Sequence, residues 1–431
     1  MLPTLAPGRI GAGSKQMDWR MHTRTAPIDP ARVLFPLGLG TALSLIGDST
    51  IYTVLPTHVA DAGVSLASVG ILLGVNRAIR LFLNGPAGLA YNRWPRRRLF
   101  VPALFVGALS TALYAATRGF WPLFTARMLW GLAWSGIWVG GATMILDVTT
   151  DSNRGRWIGL YQTWFFLGSA FGSLAGGFLT DLVGYVAAMW IGAALTALGG
   201  IVAWALLPET RSATRQARPH AVGHGPALSR LKIGGALGTA ALLLGVSRFV
   251  SAGVVAATLG LVVRNQLQPL ARLLGVATLT GLFMGLRTLL SMVAAPLGGG
   301  LSDRAGGRWG VTASSVALGT VGLLLMAWGT PLGIIVGVLL SSASAGCVQS
   351  LSTALTGDLV EPGQRGAAIG LLHTSGDLGS AIGPSLGLAL LPFVGLRGVF
   401  LVCAALFLAT LPPVLHFRRR EHAAPAEAAS P

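Results

Sequence analysis

The chain has 431 residues, of which 53% are hydrophobic and only 10% charged, and its mean hydropathy is +0.68. A water-soluble domain carries about 25% charged residues, so the composition excludes a soluble globular protein and implies a polytopic membrane protein. The formal net charge of +17 would suggest nucleic acid in a soluble chain, but here the charges must first be placed against the bilayer. Sixty glycines supply the small surfaces that let helices approach where no water drives association. The two cysteines, Cys347 and Cys403, lie in apolar segments, so no disulfide framework is expected and no metal site is spelled out.

Residues 1–32 are polar and basic, with Arg9, Lys15, Arg20, Arg24 and Arg32, and read as a cytoplasmic arm in which Met1, Met17 or Met21 is the start. The apolar segment from Val33 is too long for a signal-peptide core and ends without a small-residue cleavage pattern, so it reads as a retained helix. About 20 residues suffice to cross the hydrocarbon core. Twelve such helices are predicted, at 33–56, 66–90, 99–117, 121–146, 156–181, 184–207, 234–262, 274–300, 310–328, 331–357, 366–391 and 395–416. They form an N-terminal bundle of six over 33–209 and a C-terminal bundle of six over 234–416, with a linker at 210–233 and a tail at 417–431. In the linker, His220 and His224 have a spacing that would suit a metal on a helix, but Pro219 and Gly223 oppose a helix, and a solvated linker is expected.

The two bundles repeat one another at an offset of 211 residues. Gly159, Gly168, Gly172, Gly176 and Gly177 in the fifth helix return as Gly370, Gly379, Gly383 and Gly387 in the eleventh. The same offset pairs Asp147 with Asp358 and Arg154 with Arg365, and lays Gly88, Asn92 and Arg93 over Gly299, Asp303 and Arg304. An internal duplication of this kind places function between the facing halves. Lysines and arginines lie almost wholly on the side of the termini, with only Arg118, Arg264, Arg272 and Arg397 opposite. Both termini are therefore expected in the cytoplasm. Most of the positive charge then serves as topology signal and anionic-lipid contact, and no nucleic-acid partner is needed.

These residues resemble the major facilitator superfamily over essentially the whole span from Val33 to His416. GLAYNRWPRR and GGLSDRAGGR are similar to the family's loop after helices 2 and 8; Arg127 and Gly131 open helix 4, and Pro208, Glu209, Thr210 and Arg211 close helix 6 as its members do. Helix 5 is similar to the family's antiporter signature except that Ser173 stands where it has proline; in helix 11 the proline is present as Pro384 and the last glycine is replaced by Leu388. The resemblance implies an all-α fold of two pseudo-symmetric six-helix bundles, alternating access and no enzymatic activity. It also implies no cofactor beyond the proton gradient, an inner-membrane location and a monomer as the default. The loop motifs Gly88, Asn92, Arg93, Asp147, Arg154, Asp303, Arg304, Asp358 and Arg365 read as gates, with the C-terminal network stronger because Asn92 has no charge. The glycines of helices 5 and 11, with Pro384, read either as close-packing grooves or as an antiporter element.

Charges at membrane depth are costly unless paired or hydrated. They are Asp48, Arg77, Arg80, Arg127, Arg248, Arg287 and Asp377, with His373 beside the last. At about 1.5 Å per residue, Asp48 and Arg127 both fall roughly 9 Å below the outer surface and can meet. Asp377 is expected to meet Arg287 or Arg77, while Arg80 can snorkel. An aspartate stays ionised beside arginine and takes a proton when the pair separates in a dry site, so Asp48, Arg127, Asp377 and His373 are candidates for proton coupling. Static salt bridges are the alternative. Asn76, Arg77, Trp134, Trp138, Gln162, Arg248 and Arg287 are candidates for the substrate cavity, although the tryptophan stripe can equally be packing. Proton-coupled efflux of a hydrophobic or amphipathic small molecule is the first expectation, uptake or exchange of an organic anion the second, and a non-transporting receptor the remote third.

Overall fold

The structure is a computed structural model that describes residues 28–150, 153–211, 234–305, 307–361 and 364–428. The three candidate starts, the linker histidines and most of the N-terminal arm lie outside the described residues. Within them the chain is helical and without strands. The N-terminal half comprises α1 (Pro30–Val54), α2 (Val59–Ala62), α3 (Leu66–Arg93), α4 (Arg96–Ala116), α5 (Phe120–Asp147), α6 (Arg154–Val183) and α7 (Tyr185–Leu206). The C-terminal half comprises α8 (Gly235–Gln266), α9 (Gln268–Leu274), α10 (Val276–Arg304), α11 (Arg308–Trp328), α12 (Pro331–Leu359), α13 (Arg365–Ala409) and α14 (Leu411–Ala428).

Among the described residues, eleven helical stretches are long and apolar enough to cross a membrane. The last, Ala367–Glu421, has 55 residues, about 80 Å of helix and far more than one crossing needs. It breaks at Gly395, whose φ of 64° is open to glycine at little steric cost, so it holds two passes and the total is twelve. Helix starts follow local chemistry. Asp29 caps α1 by accepting from the Ala31 amide at 3.0 Å ahead of Pro30, and Ser65 and Thr330 cap α3 and α12 in the same way. The short helices α2 and α9 are additions to the predicted set, as is a π-helical stretch at Phe249–Val255 inside α8.

Each half is zipped by its glycines. Gly168 and Gly172 of α6 lie against the α1 backbone at Ala42 and Ile46, and Gly379 and Gly383 of α13 lie against Gly245, Phe249 and Gly253 of α8. Glycine also seals the halves to each other at one end. Gly70 and Gly74 of α3 abut Ser385 and Ala381 of α13, and Gly177 of α6 abuts Ala277 of α10. Gly281 and Gly285 of α10 abut Ser173 and Ala170 in the same way. There Asp181, at the end of α6, accepts from the Thr278 amide at 2.6 Å and its hydroxyl at 2.7 Å, so one half caps a helix of the other. Towards the end that carries the termini the same helices part: a Cβ at Gly88, Gly159, Gly300 or Gly370 would meet nothing within 4 Å. The molecule is closed at the end away from the termini and open at the end near them.

Candidate functional site

The apex of the open space lies where α3 leaves α13, and the arginines gather there. Arg80 reaches Asp377 at 3.2 Å, an ion pair between the halves. This corrects the expectation that Asp377 pairs with Arg287 or Arg77 and that Arg80 snorkels. α3 and α13 run antiparallel in contact, so the residue facing Asp377 is fixed by that packing. Arg77, one turn nearer the closed end, donates to the carbonyls of Ala252 at 2.9 Å and Ser380 at 3.5 Å. Arg287 of α10 donates to the Ser251 carbonyl at 2.6 Å. Arg248 donates to Gln349 Oε1 at 2.9 Å, and its side chain lies against Gly376 of α13. The carbonyls of Ser251 and Ala252 belong to the π-helical stretch, a geometry often found at functional sites. His373 is exposed, one turn from Asp377 towards the open end.

The second ion pair belongs to one half alone. Arg127 is 1% exposed and reaches Asp48 at 2.6 Å, while its Nε donates to the Leu72 carbonyl at 3.0 Å. Tyr52 links the two sites: the guanidinium carbons of Arg127 and Arg77 lie 4.8 and 5.0 Å from its ring centre, and cation–π attraction holds them. Asn76 is buried and accepts from the Tyr52 hydroxyl at 3.0 Å, so it supports that ring from within the bundle.

The tryptophan stripe is a packing column. Trp130 stacks on Trp134 at 6.2 Å and Trp134 on Trp138 at 5.8 Å, with Tyr161 and Phe165 against them. Trp130 and Trp134 are buried in that core, whereas Gln162 is exposed on α6. An apolar cleft of about 330 Å³ between α3, α4 and α5, lined by Leu83, Tyr91 and Leu132 among others, likewise holds none of the charged groups.

The gate motifs form one cluster in each half. Asp147 accepts from Arg96 Nε at 3.0 Å and from Thr210 Oγ1 at 2.9 Å, and Glu209 accepts from the Arg96 and Arg97 amides at 2.9 and 3.1 Å. In the other half Arg308 pairs with Asp303 and Asp358, and Glu421 accepts from the Arg308 and Trp309 amides at 2.9 and 3.3 Å. Arg96 and Arg308 thus tie their clusters to Asp147 and Asp358. Arg93 offers its carbonyl to Arg211; Asn92 and Arg304 are exposed near the ends of their helices, and Arg154 and Arg365 open α6 and α13. The N-terminal cluster is the more buried, and Asp303 bonds within its own half, so in this open conformation it does not latch the bundles together. Glu421 lies in the segment read as tail, where the helix continues to Ala428.

The sequence profile of the Major Facilitator Superfamily matches residues 37–268 and 237–431. The chain belongs to this superfamily. Its membership and its membrane-length helices make it a multi-pass membrane protein of a transporter family. A probable 4-methylmuconolactone transporter of Cupriavidus pinatubonensis is 32% identical over 117 residues, 27% of either chain. The class B tetracycline resistance protein of Escherichia coli is 28% identical over 145 residues, 33% of this chain and 36% of that one. Matches to the first of these curated relatives span less than half of the relative's length. Among solved structures, a bacterial homologue of the human lysosomal transporter Spinster, inward-facing and occupied, superposes with a TM-score of 0.74 at 15% identity over 90% of this chain and 97% of that one. The human organic anion transporter MFSD10 gives 0.62 at 20% identity over 89% and 99%. Such distant likenesses show the shared fold. That fold is all-α, two six-helix halves around a central path.

Proposed function

We propose that the protein carries a small organic anion across the membrane by proton-coupled alternating access. One observation carries the reading: Arg77, Arg80, Arg248 and Arg287 converge on the cavity apex, where Asp377 is the carboxylate that answers them. Arginine at membrane depth is costly without a counter-charge. The Nε of Arg287 is buried with no hydrogen-bond partner among the described residues, and a carboxylate or phosphate oxygen can accept from it. The excess of lysine and arginine near the termini supports an open end that faces the cytoplasm, so the conformation is read as inward-facing. The likeness to a human organic anion transporter points the same way. Asp48 with Arg127 and Asp377 with Arg80 are the pairs through which protons would act.

Export of a hydrophobic compound against protons is the second reading, supported by the similarity to tetracycline resistance proteins. Trp130 and Trp134 are packed in the bundle core and so are not available to it. Thermal unfolding of the purified chain with benzoate, succinate, citrate or tetraphenylphosphonium separates the two. An anion is expected to raise the midpoint in the parent and to leave Arg287→Gln unmoved. Stabilisation by the cation alone would favour the second reading.

A further inference from the structure

Away from the arginine apex, the apolar cleft of about 330 Å³ separates α3 from α4, with α5 as its back wall. Its walls are set back because Ala87, Ala90 and Ala103 stand where larger side chains would close it. The polar groups that line it are already satisfied. The Tyr91 hydroxyl donates to the Gly136 carbonyl at 2.9 Å, and the Ser135 hydroxyl to the Gly131 carbonyl at 3.1 Å. α4 packs on α1, α5 and α7 of its own half, and the rim residues Pro86, Pro102 and Leu132 are exposed, so the cleft opens to the bilayer. Water does not fill an apolar space of this kind, and in a bilayer its filler is hydrocarbon. From Leu83 to Tyr91 the cleft follows eight residues of α3, about 12 Å, close to the roughly 15 Å of hydrocarbon in one leaflet. The space therefore suits one acyl chain lying at leaflet depth.

Charge selects the kind of lipid. The cleft ends at the turn Trp94–Pro95, which joins α3 to α4 at the end that carries the termini. Arg93 closes α3, and Arg98 lies in the first turn of α4 next to Leu99 of the cleft. Both are exposed, and among the described residues neither guanidinium has a partner. Their neighbours are committed elsewhere, Arg96 to Asp147 and Arg97 to the Trp204 carbonyl. Trp94 is 58% exposed beside them, which suits the level of lipid headgroups. A second apolar cleft of about 350 Å³, between α4 and α7 around Ala112 and Trp190, lies towards the closed end and away from this arginine pair.

We infer that the cleft between α3, α4 and α5 binds an anionic phospholipid, with one acyl chain in the slot and the phosphate between Arg93 and Arg98. Basic pockets between membrane helices take such headgroups. The site is separate from the anion path proposed above and stands or falls independently of it. It gives Arg93, which the sequence motif places in a gate, a lipid phosphate as its counter-charge. The bound chain also lies against Tyr91, whose carbonyl accepts from Arg96 of the N-terminal gate cluster.

Native mass spectrometry of the purified, delipidated full chain tests the site, with dioleoylphosphatidylglycerol and dioleoylphosphatidylcholine as probes. The first should bind one molecule per chain at concentrations where the second does not; equal binding overturns the role of the arginines. Arg93→Gln combined with Arg98→Gln should weaken phosphatidylglycerol about thirtyfold, the effect of two charges near a lipid surface. Parental affinity in that variant overturns the headgroup site. Ala90→Trp, which fills the slot, should weaken binding at least tenfold, whereas Ala112→Trp in the second cleft should leave it unchanged. Loss in both or in neither overturns the assignment to this cleft. Dihexanoylphosphatidylglycerol, with the same headgroup on short chains, should bind the parent at least tenfold more weakly, and it decides the same point should Ala90→Trp fail to fold. Glycerol 3-phosphate should not displace the long-chain lipid; displacement means that the phosphate alone is held and the cleft has no part.

Discussion

The two ion pairs at membrane depth look alike in sequence and differ in what they join. Asp48 and Arg127 belong to α1 and α5 of one half, and Arg127 is sealed from solvent. Arg80 and Asp377 belong to different halves, with side chains 18% and 25% exposed. If the halves move as rigid bodies, the first pair can persist through a cycle while the second must break. A pair within a bundle can respond to a proton without parting the halves; a pair between bundles also senses whether they are together.

Removing one partner sharpens this contrast most. Breaking a buried pair costs about 3–5 kcal/mol because a charge is stranded. Arg127→Leu should therefore lower the thermal midpoint of the purified protein strongly, whereas Arg80→Leu, whose partner Asp377 is partly exposed and has Arg248 nearby, should lower it less. Equal losses in the two variants would erase the distinction. Next in size are changes at the seal itself. A methyl group at Gly74 would collide with the Ala381 carbonyl oxygen, and one at Gly88 would meet nothing. Gly74→Ala should thus raise maleimide labelling of a Ser385→Cys protein about tenfold and Gly88→Ala should leave it unchanged. The smallest effects belong to features shared by both halves. Glu209→Gln and Glu421→Gln each weaken the cap of a helix N-terminus, and each should cost about 1 kcal/mol in a denaturation series.

Much of this was legible in the sequence, for physical reasons. Hydropathy and the repeated glycines marked the helices, since crossing a bilayer needs a minimum apolar length and close packing needs small residues. Depth counting along α1 and α5 placed Asp48 level with Arg127 because rise per residue is fixed. The same counting failed for Asp377: it gives depth but not which neighbour faces the residue, and the facing residue was Arg80. The π-helical stretch has no signature in SRFVSAGVV beyond Gly253, which meets Gly383. Glu421 is hidden from a hydropathy reading, because hydropathy falls after His416 although the helix does not end there. Asp181 carries no sequence signal, because its partners include backbone amides of the other half, which no side-chain pattern announces.

The glycine seal at the closed end has an energetic consequence. Where backbone meets backbone, as Gly74 meets Ala381, no long side chain has to be frozen when the halves come together or freed when they part. Immobilising a flexible side chain costs up to about 2 kcal/mol, and glycine has none to immobilise. A joint made this way closes without a side-chain entropy cost, so a single methyl group on either face is enough to hold it apart.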